Sequence, residues 1–350
     1  MALTKFQSEV WASGIQTVLE RRYVYGSPVC VNRDFEGDIR SAGDTVHIID
    51  ITDPSISDYV ADADLTIQAL TDAELTLSVN QAKSFSFQMD DIHKVQGNNS
   101  AGLMAKAMER SGAGLANAAD TYTASQMALG AAPLGVIDAT TSTNVYDLLI
   151  VPTAVALDEA DVPDEGRFIV LPPAAYGKLL LDSRFVKANE SGTMALHNGA
   201  VGSAGGLQVL KSNNAPQANR GSITATTTSG SKNLTAAAGT FNQGDVGLLI
   251  AGTGIGASSN AIASVGADGS TAVTTVNQTA SATVTNVALS GGGQLAIAGS
   301  PIAATFAAQI ASVESARMEK RFADLVKGLS LFGAKVTRPA GLTVASVKVA

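Results

Sequence analysis

The chain has 350 residues, 45% hydrophobic, 15% charged and 5% aromatic, with a formal net charge of −8. That length builds one large or two medium domains with real cores, and the acidic balance argues against a protein that grips nucleic acid through its phosphates. The single cysteine, Cys30, excludes an intrachain disulfide and a multi-thiolate metal centre. The low charge density fits either an Ala-rich stable monomer or a surface largely covered by neighbouring subunits.

The opening residues Met1 to Phe6 lack the apolar core of a signal peptide. Thr4 followed by Gln7 resembles a capping box, and Phe6, Val10, Trp11, Ile15, Val18 and Leu19 recur at helical spacing. This stripe predicts a helix that packs either on the rest of the fold or on another subunit. Residues 43 to 89 change period. Val46 and Ile48, Leu75 to Val79, and Phe85, Phe87 and Met89 alternate with polar residues, which predicts a long antiparallel hairpin or small sheet. Such a structure buries little alone and should lie on something.

Asp90 or Asp91 is placed to cap the next helix, and Ser100 to Leu129, rich in Ala, Met and Leu, predicts a long helix weakened by Gly112 and Gly114. Residues 145 to 215 read as α/β: a helix from Val145 to Leu157 restarted at Pro152, a buried strand Phe168 to Leu171, a short helix Ala174 to Leu181, a flexible loop Gly199 to Gly206, and a strand Leu207 to Leu210. Residues 220 to 293 then carry only four charged side chains, Arg220, Lys232, Asp245 and Asp268. Their Thr, Ser, Ala and Gly content fits a low-complexity linker or a small all-β module. The apolar runs Val246 to Ile250 and Ile262 to Val265 favour the module, inserted into the α/β segment. Beyond it, Ala303 to Val313 reads as a strand, Glu314 to Val326 as charged and partly helical, and Leu329 to Thr337 as a strand closed by Arg338-Pro339. The uncharged stretch Gly269 to Val313 is Thr/Ser/Gly-rich and broken by Pro301, so it reads as strands and turns rather than a bilayer span.

Catalytic chemistry finds little support. His47, His93 and His197 stand far apart without metal-ligand neighbours, no serine sits in a nucleophile elbow, and there is no P-loop lysine. Gly252 to Ala257 matches Gly-x-Gly-x-x-Ala, but a further β-like run follows it instead of a phosphate-binding helix. Asp158, Glu159, Asp161, Asp164 and Glu165 form an acidic stretch that reads as a solvated loop in preference to a cation site. No catalytic residue, cofactor or metal is expected.

Three segments together carry a resemblance: Val31 to Ile39 with Gly43-Asp44-Thr45-Val46; Phe85 to Ile92, leading through Gln96; and Arg317 to Asp324, continuing through Gly328-Leu329 and Phe332 to Val336 to Arg338-Pro339. In that order they resemble the coat proteins of tailed phages with the Hong Kong 97-type fold, especially the Salmonella phage coat protein branch. The resemblance implies an α+β fold. It would have an N-arm over 1–42, an extended loop over 43–90 lying on an adjacent subunit, and a peripheral domain with its spine helix over 91–144. An axial domain over 145–219, the all-β insertion over 220–293 and a return to the axial and peripheral domains over 294–350 would complete it. The run Phe241 to Gly247 looks like small β modules of phage tail and surface proteins, and projection of the insertion from the outer shell is expected. Lys83 lies in the proposed loop, but no matching motif supports a Lys–Asn cross-link.

The implied function is assembly: pentamers and hexamers of many copies forming the icosahedral head shell around phage DNA. Maturation would proceed by subunit rotation. Scaffolding and portal proteins are the expected partners, with no sequence-specific DNA contact and no membrane, and the location is the virion capsid, assembled in the host cytoplasm. Trp11, Phe85 and Phe87 are the subunit-contact candidates. The rivals are a bacterial nanocompartment shell, which shares the fold but holds enzyme cargo, and a tail or decoration protein.

Overall fold

A computed structural model of the chain describes residues 23–34, 45–51, 56, 58, 72–90, 100–140, 144–182, 202–218, 222–255, 260–318 and 322–349. The proposed N-terminal helix, with Trp11, lies outside them, as do His93 and His197. The described strands form four sheets. β1 (Thr45–Ile51) and β2 (Asp72–Ser78) pair antiparallel, Thr45 opposite Ser78. β3 (Gln81–Asp90) does not continue that hairpin. It pairs along its whole length with a strand more than two hundred residues away, Phe85 opposite Gly328 and Phe87 opposite Val326. The reading of residues 43 to 89 as one long hairpin or small sheet is thus corrected for β3: alternation identifies a strand's apolar face but not its partner. Asp90 is the last residue of β3, and the helix start it was expected to cap lies outside the described residues, as does Asp91.

Helix α1 (Ser100–Gly130) runs unbroken for 31 residues, about 46 Å at the usual rise. Ala116, Ala119, Asp120, Thr123, Ala124, Met127 and Ala128 are all buried. Their small side chains at i, i+3, i+4 spacing let neighbouring backbone approach closely. β4 (Ala132–Asp138) follows, unanticipated from sequence. A single π turn, Tyr146–Ile150, then leads into α2 (Val151–Glu159). Next come β5 (Phe168–Leu171), α3 (Pro173–Leu180), β6 (Ser203–Ala204) and β7 (Leu207–Lys211), so part of the expected Gly199–Gly206 loop is a short strand that turns at Gly205-Gly206 into β7.

The central sheet has the order β4-β17-β14-β5-β7-β6, completed by β14 (Gln294–Gly299) and β17 (Leu342–Lys348) from the far end of the chain. β5 shows how the sheet divides the core. Phe168 and Val170 face the cluster shared with α1, and Ile169 and Leu171 face the cluster that holds α2 and α3. Burial on both faces leaves β14 and β17 without the clean apolar–polar alternation of a half-wet strand.

β15 (Ala304–Arg317) and β16 (Ala323–Val336) form a long antiparallel hairpin, and β3 completes a three-stranded sheet with β16 in the middle. The helical reading of Glu314 to Val326 is therefore corrected. Its charges pair across strands, Lys327 with Glu314 at 2.7 Å and Arg317 with Asp324 at 3.5 Å, rather than along a helix. The end of β2 crosses this sheet at Gly333, where a Cβ would lie 2.6 Å from the Ser78 carbonyl oxygen, and Lys335 Nζ donates to Thr76 O at 2.8 Å. Leu77 and Val79 are thereby buried on Ala307 and Leu331.

The insertion is a folded β module: β8 (Ser222–Thr227), β9 (Asn233–Thr235), β10 (Leu249–Ala251), β11 (Ile262–Val265), β12 (Thr271–Thr274) and β13 (Ala282–Ser290), in the order β10-β13-β8-β9-β12-β11. The two end strands meet through the Leu249–Ala261 bridge, with Ile250 N–H donating to Asn260 O at 2.8 Å and Ile262 N–H to Leu248 O at 3.0 Å. The sheet thus closes into a small barrel. Its chain ends are clamped by the Gln217–Gln294 bridge and by Ala218 N–H donating to Gly293 O at 2.9 Å. The barrel is also docked. The 3-10 turn Gln243–Asp245 seats Gly244 where a Cβ would lie 2.4 Å from Leu295 Cδ2, and Gly269 (φ +66°) where one would lie 2.3 Å from Phe241 O and 2.8 Å from Leu129. The run Phe241 to Gly247 is therefore the elbow on which the barrel rests.

Candidate subunit-contact surfaces

Phe85 and Phe87, two residues apart on β3, lie on one face, with ring centroids 6.2 Å apart and planes 16° from parallel. They pack against Leu115 and Ala116 of α1 and Val326 of β16. Phe85 also covers Gly328, where a Cβ would fall 2.3 Å from the ring. Much of each ring is therefore spent inside the subunit, and both residues are half-buried. Lys83 is exposed on the same strand, opposite Ser330.

The three-stranded sheet presents two long outer edges. Asn32 covers the start of β15, donating its N–H to Ala304 O at 2.9 Å and accepting from Phe306 at 3.0 Å. Among the described residues no strand pairs with β15 from Ala308 onward or with the outer edge of β3. Unpaired edge strands are templates for added chain. At the hairpin tip Phe322 is 80% exposed. A second apolar feature lies on the helix layer: Leu148, Val151 and Val155 are exposed on one side, while Leu149, Ile150 and Leu157 are buried on the other. A surface helix normally turns a polar face to water, so apolar residues all round mark a face suited to cover. The sequence signals were present, since Phe322 stands among charges and the helix has few polar positions, but nothing in the sequence set either apart from ordinary core.

The remaining sequence features resolve as structure. Buried Arg167 organises the acidic stretch: its guanidinium pairs with Asp158 at 2.6 Å and Asp164 at 3.0 Å and donates to the carbonyl oxygens of Pro163 and Val162. No group of three or more metal-ligating side chains occurs among the described residues. His47 pairs with Glu74 across β1 and β2. The Gly252–Ala257 run leaves one barrel strand, β10, and the chain returns in another, β11, with residues 256–259 outside the described set. No described helix is long and apolar enough to cross a membrane, a statement that does not bear on β-barrels.

No protein-family model matches the chain, and no curated protein matches it. Solved structures do. A structure of Mycobacterium phage Che8 aligns over 99% of this chain and 94% of its own, at 21% identity and TM-score 0.59. The capsid structure of cyanophage P-SCSP1u aligns over 89% and 85%, at 16% identity and TM-score 0.55. The mature capsid of bacteriophage PhiM1 aligns over 91% and 87%, at 15% identity and TM-score 0.53. The chain has the Hong Kong 97-type capsid fold. The order of motifs in the sequence had pointed to this fold. At these identities the likeness establishes the fold.

Proposed function

We infer that the chain is a major capsid protein, a structural subunit whose copies assemble into a phage head shell and which is not an enzyme. The observation that carries this reading is the alignment with Che8 over 99% of the chain, insertion included, alongside the two structures described as capsids. The open edges of the β15-β16-β3 sheet and the exposed apolar residues of α2 and the hairpin tip support it, because both gain most from neighbouring copies.

On this reading the central sheet with α2 and α3 is the axial domain around capsomer axes, and α1 with the β15-β16-β3 sheet is the peripheral domain. β1 and β2 form the root of the extended loop, and residues 1–42 are the N-arm. Trp11 and the uncovered rims of Phe85 and Phe87 contribute subunit contacts, joined by Phe322. The subunits form pentamers and hexamers by heterologous contacts that close through curvature. Scaffolding and portal proteins assist, and the shell holds double-stranded DNA without sequence-specific contact. A formal charge of −8 suits containment better than adhesion to phosphate. The subunit resides in the virion.

The test is expression of the full chain, alone and with a candidate scaffolding protein, followed by negative-stain electron microscopy. Closed shells or rings of five and six subunits are expected. A monodisperse monomer under every condition overturns the reading, and enzyme cargo in place of nucleic acid inside native particles reassigns the shell to a nanocompartment.

A further inference from the structure

Asp120 is a fully buried acid on α1, and Asp120 Oδ1 accepts three consecutive backbone N–H groups, from Val24 at 2.9 Å, Tyr25 at 2.7 Å and Gly26 at 3.1 Å. Asp120 Oδ2 accepts from Asn214 Nδ2 at 3.0 Å. One carboxylate thus joins the turn at residues 23–31, the long helix, and the segment that leaves β7 for the barrel. The turn's internal bonds run from Cys30 N–H and Val31 N–H to Ser27 O, at 2.9 and 3.1 Å, and its far end is held by Asn32 on β15. Beneath it lie Tyr25, whose hydroxyl has no hydrogen-bond partner, and Cys30, both without solvent exposure.

Bonds to a carboxylate are roughly twice as strong as neutral ones, so these three bonds add to the apolar hold on the turn. Tyr25, Cys30 and Val31 belong to the main core, and Tyr23, Val24 and Val29 pack against it. Local opening of the turn, below the free energy of global unfolding, breaks both kinds of contact.

We propose that Asp120 is a clasp: its hold on residues 24–26 keeps the 23–31 turn on the body, and its release lets that turn open while the sheets stay folded. The clasp is a positioning device. It decides whether residues 23–31 stay seated on the body or pivot about the Asn32 tether. Its consequence for shell assembly rests on the capsid reading, whereas its existence does not.

Cys30, the only thiol in the chain, reports the opening. The experiment measures its rate of modification by a disulfide reagent in the full-length protein at about pH 8, across urea concentrations below the unfolding transition. For the native chain the rate should depend only weakly on urea, the signature of a local opening. Asp120→Asn, nearly isosteric, should accelerate modification at least tenfold with an unchanged circular dichroism spectrum. Asn214→Ala should give a smaller rise. Two results overturn the clasp: a native rate whose urea dependence equals that of global unfolding, or Asp120→Asn modifying at the native rate. Should Asp120→Asn fail to fold, the urea dependence of the native chain still decides. Shell formation is scored on the same preparations by electron microscopy. Local opening without native shells leaves the clasp standing and removes the capsid reading, and native shells with no local opening do the reverse.

Discussion

The inserted barrel and the β15-β16-β3 sheet solve the problem of strand edges in opposite ways. The barrel turns back on itself at Leu249 and Ala261, so its end strands satisfy one another. The three-stranded sheet extends fourteen-residue strands and, among the described residues, pairs no strand with either long outer edge beyond the Asn32 contact. Closure removes the hazard of unplanned pairing, while an open edge is retained where pairing is wanted. Within one chain, the barrel ends its own hydrogen bonding, and on the capsid reading proposed above the sheet is where pairing continues.

Self-sufficiency in hydrogen bonds does not bring self-sufficiency in packing, and the largest predicted effect tests that distinction. Excising the barrel and joining Ala218 to Gly293, which already share a 2.9 Å hydrogen bond, preserves the sheet order of the host. It also uncovers Leu129, Val136 and Leu295, on which the elbow rests. At about 1.5–3 kcal/mol for each large apolar side chain fully exposed, a loss of roughly 5 kcal/mol is expected from urea unfolding. A shortened chain as stable as the parent would show that the barrel is a detachable appendage, as its composition alone suggests.

A smaller version of the same test is Gly269→Ala. The residue sits at φ +66°, and the new Cβ would meet Phe241 O at 2.3 Å, so backbone strain and overpacking act together. A loss of about 3 kcal/mol is expected in thermal or urea unfolding, with the barrel loosened from α1. An unchanged midpoint would mean the elbow carries no load.

Alkaline pH probes the turn beneath the clasp. Burial, its largest cause, pushes the Cys30 thiol from 9.0 up to about 12, and burial with the nearby Asp120 raises the Tyr25 hydroxyl as well. Both groups are protonated in the folded chain where the unfolded chain has begun to lose its protons. Their contribution is complete below pH 9 and declines as pH rises toward 12. At about pH 10.5 the thiol alone accounts for about 2 kcal/mol of lost stability. Cys30→Ser should flatten the alkaline limb of a stability-versus-pH curve and leave the neutral region's slope unchanged.

The sequence revealed the fold best where one face of an element is wet. β2, β3 and most barrel strands alternate, and α1 carries a clear band, so these were legible. β14 and β17 were not, because burial on both faces erases the period. Partnership was also hidden. Phe85 and Phe87 look as though they continue β2, and only the three-dimensional chain shows that they cross to Gly328 and Val326. Asp120 was missed at the site level. It is the one charged residue between Ser111 and Gly130, an isolated acid in an apolar band, and that isolation was the available signal.

The smallest effect on stability belongs to the hairpin tip, and it bears most directly on the contrast between closed and open regions. Phe322, 80% exposed, has little to lose in the isolated subunit, so Phe322→Ser should shift unfolding by less than about 0.5 kcal/mol. On the barrel, Val276→Ser, at a residue 37% exposed, is the comparison substitution. If the open sheet is the surface through which copies join, the first substitution lowers the yield of closed shells at constant protein concentration and the second does not. Equal yields from both would remove the tip from the contact surface. A loss from the barrel substitution alone would reverse the assignment, making the closed module the joining surface and the open sheet an internal support.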